Sequence, residues 1–177
     1  MNIETLKYPI GKLKMPKTIS DKELQEAITI LELFPAQLRL LTAHLPEKTL
    51  QQTYRLEGWT IKQLIHHIAD SHHHSYTRFK WALTEYNPTI KAYDEKTWAA
   101  LNESHTMPIA WSLTHVEAIH YKMTYLLKSL TKEQWERTFQ HPDKKAPTSL
   151  KENALLYAWH SMHHFAHIKN ALDSLTS

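Results

Sequence analysis

The chain has 177 residues, 42% hydrophobic and 22% charged, which suits one domain with a proper core and is an ordinary soluble composition rather than a disordered one. Two glycines, Gly11 and Gly58, argue against β-rich and βαβ folds, and the absence of cysteine excludes disulfides, thiolate ligands and a cysteine nucleophile. A net charge of +3 with scattered basic residues makes no nucleic-acid surface, and no apolar run approaches the ~20 residues of a membrane helix. The N-terminal MNIETLKYPIGKLKMPK lacks the apolar centre of a signal peptide, so the expectation is a cytoplasmic protein.

Residues 1–19 contain Pro9, Gly11 and Pro16 and read as an extended arm. Ser20 and Glu23 then form a capping-box pattern, followed by Leu24, Ala27, Ile28, Leu31, Phe34, Leu38 and Leu41 at helical spacing. Pro35 is expected to kink or interrupt this helix, and Pro46 ends it. Thr60 and Gln63 open a second helix, with Ile61, Leu64, Ile65, Ile68, Phe79 and Leu83 as its stripe and Asn87 and Pro88 as its stop. Asp94 could cap a short helix around Trp98. Pro108 suits the first turn of a third long helix, whose stripe runs from Leu113 to Leu130. Residues 131–137 can form one more short helix, and 141–149 read as loop. Ser149 and Glu152 repeat the capping pattern before a last helix from about Leu150 to Leu175. Four long amphipathic helices predict an all-α four-helix bundle, with short accessory helices in the crossovers and residues 1–177 as one domain.

Nine of the fourteen histidines fall in two segments, IHHIADSHHH (65–74) and WHSMHHFAHI (159–168). At 3.6 residues per turn, His160 and His164 lie about 40° apart on one face of the last helix. His167 is close to that face and His163 nearer its edge. On the second helix His72 falls within the apolar stripe and His67 on its flank, whereas His66 and His73 point away. The run His72–His74 reads as a partly solvated face. Two neutral rings buried without partners would cost roughly 1–3 kcal/mol each, and a shared cation would satisfy both. Ser161 and Met162 follow His160, so the segment is no HExxH motif and carries no general-base glutamate. Asp70, Asp94 and Glu95 could orient a ligating ring through its other nitrogen, or could simply cap helices or face water. Tyr93, Trp98 and Trp159 could wall a pocket or belong to the core, and His141 and Asp143 could reach it from their loop. Spacing alone leaves a metal site and a hydrogen-bonded histidine core as alternatives.

Several stretches taken together resemble the DinB-like superfamily of metal-binding four-helix bundles, in particular its YfiT-like metal-dependent hydrolases. They are YPIGK (8–12), GWTIKQLIHHIADSH (58–72), SYTRFKWALTE (75–85), AYDEKTW (92–98), HPD (141–143) and WHSMHHFAHI. The resemblance covers nearly the whole chain. It implies that His67, His160 and His164 hold a divalent metal, zinc or nickel. His167 stands where the superfamily often has Gln, and could alter the ligands' surroundings or offer a fourth nitrogen. The resemblance further implies a cytoplasmic homodimer acting on a small-molecule substrate, with water as the nucleophile. One alternative it brings is transfer of a low-molecular-weight thiol of the bacillithiol type, as in related S-transferases and mycothiol-dependent isomerases. The other is a metal-binding module without catalysis.

Overall fold

A computed structural model describes residues 3–176. The N-terminal segment corrects the extended-arm expectation in part: Ile3–Lys7 form a short helix, α1, and only residues 8–20 lack helix or strand. Met1 and Asn2 lie outside the described residues. The Ser20–Glu23 capping box is made, and α2 (Asp21–Thr42) follows it. This helix is not interrupted at Pro35. Proline brings no N–H, however, so the Leu31 carbonyl four residues earlier has no helical donor. After α3 (Glu47–Leu50), the Thr60–Gln63 box opens α4 (Ile61–Thr84). The short α5 (Glu95–Ala99) and α6 (Asn102–Thr106) lead to α7 (Ile109–Lys128), with Pro108 as its N-cap. A Thr131–Gln134 box caps α8 (Lys132–Trp135). Two strands, β1 (Thr138–Phe139) and β2 (Thr148–Ser149), pair antiparallel in the register Thr138↔Ser149, so the expected loop 141–149 ends in a strand. The Ser149–Glu152 bonds are made at the start of α9 (Leu150–Thr176).

Helix α2 packs on α7 and α9, and α4 packs on the same two. The pairs α2/α4 and α7/α9 therefore lie across the diagonals, and crossovers 43–60 and 129–149 must span them. Among the described residues no helix is long and apolar enough to cross a membrane.

The apolar core comes in two clusters. One gathers Leu24, Ile28, Leu31, Phe79, Met123, Leu127 and Tyr157; the other Phe34, Leu38, Ile61, Leu64, Ile65, Val116 and Ile168. Helices α2 and α9 run from the first cluster to the second, and α4 and α7 run the opposite way. On α4, α7 and α9 the buried residues between the clusters are largely polar: Ser71, His72, Ser75, Arg78, His120, Ser161 and His164 among them. A polar layer thus divides the hydrophobic interior, and every group in it needs a partner.

Candidate metal centre

Helix α4 supplies His67 and His72 to this layer, α7 supplies His120, and α9 supplies His160, His164 and His167. Five are buried and His160 is partly buried. His160 Nε2 lies 3.3 Å from His67 Nε2 and 3.1 Å from His164 Nε2, and the three rings' ligand atoms fall within 4.8 Å of one another. A tetrahedral ion bound at about 2.0–2.1 Å would set neighbouring nitrogens roughly 3.3 Å apart.

Proton positions make the stronger argument. His120 Nδ1 sits 2.5 Å from Leu31 O, the carbonyl that Pro35 leaves without a helical donor. A carbonyl only accepts, so Nδ1 carries the proton and His120 Nε2 is an acceptor. His72 Nδ1, 2.8 Å away, must then donate to it. His72 Nε2 in turn accepts from His160 Nδ1 at 3.0 Å, which leaves His160 Nε2 with a bare lone pair.

A second chain runs from the N-terminal segment. His167 Nε2 donates to Leu6 O (3.0 Å) and Lys7 O (3.2 Å). Its Nδ1 therefore accepts from His164 Nδ1 at 3.4 Å, and His164 Nε2 is the second bare lone pair. The two lone pairs face each other at 3.1 Å. A proton on His67 Nε2 would reach His160 alone. A cation would satisfy all three rings, so the residues present fit a metal.

These rings are neutral at pH 7. Burial pushes His67, His120 and His167 down to about 4. It pushes His72, His160 and His164 well below the ordinary imidazole range, and neighbouring histidines add to the effect.

The structure brings His67, His160 and His164 together and separates the other expected residues by role. His72, which fits the stripe better than His67, is fully buried but stands behind His160. His167 stands behind His164 in the same way. The nitrogens of His163, His164 and His167 also lie within 4.8 Å of one another, but His167 is already committed to the backbone. His163 Nδ1 is buried without a hydrogen-bond partner among the described residues, and its ring stacks on Trp159 at 4.4 Å. His66 does not point away from the core: it is buried between Ser112 Oγ (2.7 Å) and Met107 O (3.2 Å). Asp94 caps α5, accepting from Lys96 N, Thr97 N and Thr97 Oγ1. Asp70 makes no hydrogen bond to a histidine among the described residues; burial and nearby Glu103 raise it to about 6. Tyr93 and Trp98 form an aromatic wall with His74.

Two cavities flank the His67, His160 and His164 cluster. One, about 370 Å³, is lined by Arg78, Tyr93, Glu95, Tyr157 and His160. The other, about 770 Å³, is lined by Tyr8, Tyr54, Trp59, Glu95, His163 and His164.

A sequence profile of the DinB superfamily matches residues 30–168. The chain belongs to that superfamily. Among its DinB relatives is YfiT of Bacillus subtilis, 45% identical over 169 residues, covering 95% of this chain and 94% of YfiT. BH0277 of Halalkalibacterium halodurans is 45% identical over 166 residues, covering 94% and 96%. Both are named "Putative metal-dependent hydrolase". The solved structure of B. subtilis YfiT, a four-helix bundle of unusual topology, superposes with a TM-score of 0.94 at 41% identity, over 97% of this chain and 98% of that one. A mycothiol-dependent maleylpyruvate isomerase shares the fold at 16% identity, with a TM-score of 0.60 over 79% of this chain and 60% of its own.

Sequence reasoning missed His120 and the Leu31, Leu6 and Lys7 carbonyls. His120 carried a signal, since it lies four residues after Val116 and three before Met123 on the α7 stripe. Pro35 carried another, because a helix that continues through proline leaves one carbonyl free.

Proposed function

We propose that this chain is a metal-dependent hydrolase acting on a small molecule, with His67, His160 and His164 as the ligands of one divalent ion. The observation that carries the proposal is the pair of Nε2 lone pairs on His160 and His164, aimed at each other 3.1 Å apart. The names of the relatives at 45% identity support the same activity. Three neutral nitrogen ligands, with His160 Nε2 3.1 and 3.3 Å from the other two, suit zinc, and nickel is the alternative they also accept. The ion, when bound, supplies Lewis acidity for attack of water on an electrophilic centre.

The residues of the chain do the rest. The two imidazole chains hold His160 and His164 in the tautomer that offers Nε2 to the ion. Trp59, 4.8 Å from the His67 ring centroid, covers that ligand. Glu95, among the described residues, is the carboxylate that lines both cavities, and burial raises its pKa. It is placed to take or return a proton on either side.

Untagged protein should hold about one zinc or nickel per chain, and His160→Ala should abolish metal retention and ester or amide turnover together. Full metal content in that variant would overturn the ligand set. Turnover only with a thiol cosubstrate and an alkyl or epoxide electrophile would replace hydrolysis by S-transfer. No turnover with a saturated coordination sphere would leave a binding module.

A further inference from the structure

Arg78 is only 8% exposed, yet no carboxylate lies within 4.0 Å of its guanidinium among the described residues. Its one hydrogen bond there runs 3.2 Å from Nη1 to Tyr157 Oη. A guanidinium cannot shed its proton, and the Glu95 carboxylate acts on this one from beyond 4.0 Å, without a direct ion pair. Arg78 nevertheless lines the 370 Å³ cavity that His160 also lines. Tyr93 lines it too, with its Oη buried near Ser71. A cation and a tyrosine therefore border the space beside the proposed ion.

We propose that Arg78, beside Tyr93, binds the carboxylate of a small-molecule substrate whose reactive group lies against His160. The guanidinium offers two parallel N–H donors that match the two oxygens of a carboxylate. The remaining charges argue for a monoanion over a phosphate dianion. Glu95 and Asp143 line the same cavity and offset the charge of Lys144, whose Nζ bonds Thr148 Oγ1 at 3.1 Å, so the lining lacks the cation excess a dianion needs. A cavity of this size takes a small organic acid rather than a polymer. The assignment rests on the reading of the neighbouring histidines as a hydrolytic metal centre.

Butyrate and its neutral isostere butyramide, titrated into the full-length metal-free protein, test the subsite without competition from the ion. The Arg78 Nε–Hε resonance should move with butyrate, and butyrate should bind at least about tenfold more tightly than butyramide. Arg78→Lys should weaken butyrate about tenfold or more, because an ammonium lacks the planar fork. Equal affinity for the two probes, an unmoved Arg78 resonance, or phosphate binding more tightly than butyrate would overturn the proposal. The resonance is read in the unaltered chain, so the test survives a variant that fails to fold.

A second measurement separates this proposal from the hydrolase reading. Zinc-loaded protein is given p-nitrophenyl hemisuccinate and p-nitrophenyl butyrate. Preference for the carboxylated ester, lost in Arg78→Lys, supports both. Butyrate binding with no hydrolysis of either ester keeps the subsite and removes the hydrolase. Hydrolysis of both at equal kcat/KM, with no butyrate binding, removes the subsite alone.

Discussion

His120→Phe tests whether a residue two rings away from the ion governs its affinity. Phenylalanine keeps the ring and its packing on Phe34, 5.4 Å away between centroids, but removes both nitrogens. Leu31 O then loses its 2.5 Å donor, with no helical N–H to replace it, and His72 Nδ1–H loses its 2.8 Å acceptor. Each buried group left unpaired costs about 1–3 kcal/mol, so a folding loss of about 2–4 kcal/mol is expected after the apolar gain of the ring. Moving the His72 proton to Nε2 spares the buried N–H: it reverses the His72–His160 bond and leaves Nδ1 with only a bare lone pair. That proton then faces His160 Nδ1, which must accept, and the His160 proton moves to Nε2 where the ion should sit. Undoing this to bind metal costs a similar amount, which makes the zinc Kd about 10–100-fold weaker. His120→Gln offers an amide oxygen to His72 and an amide N–H to Leu31 O, and should restore most of the affinity. Chelator competition gives the Kd, and long-range 1H–15N spectra of the imidazoles give the tautomers. A folded His120→Phe protein that binds zinc within about twofold of the parent would refute the reasoning. So would an Nε2–H tautomer at His160 in the metal-free parent, a result that needs no variant at all.

Pro35→Ala restores an N–H that competes for Leu31 O: chemical denaturation should show a stabilised chain, by up to about 3 kcal/mol, while chelator competition shows zinc binding weakened a few-fold. Unchanged zinc affinity would mean the carbonyl serves both donors equally well. Acid should destabilise the metal-free protein. The folded His120 pKa of about 4 lies below its ordinary 6.5, so the unfolded chain binds more protons between those values. Its stabilisation is complete above about pH 6.5 and is lost as pH falls toward 4, about 3 kcal/mol from this ring alone. Denaturant midpoints that stay flat from pH 7.5 to 4.5 would contradict it. His163→Ala should leave one zinc per chain, because the ligand set does not include it; loss of the ion on elemental analysis would instead favour the His163–His164–His167 cluster. Phe34→Ala should cost about 3–5 kcal/mol by calorimetry, since its fully buried ring also packs on His72 and His120.

Helix placement was legible residue by residue because its causes are local. Ser20 with Glu23 and Thr60 with Gln63 satisfy orphan amides within one turn, and Leu24 to Leu38 lie on one face by the pitch of the helix alone. The stacking of His160 and His164 is equally local, since both sit on one helix one turn apart. His67 was harder to read: its place on the flank of the α4 stripe comes beside His160 and His164 only because α4 packs on α9. The roles of His72 and His167 escaped periodicity altogether. They depend on which nitrogen meets which neighbour, and that depends on the rotation of each helix and on carbonyls at Leu31, Leu6 and Lys7. The two-residue strands and the α1 turn likewise depend on distant partners. Short-range chemistry therefore specified the helices and put a pair of imidazoles on one face. Packing of four helices across two diagonals decided where each proton sits, because hydrogen-bond direction is a property of the assembled neighbours and not of any one segment.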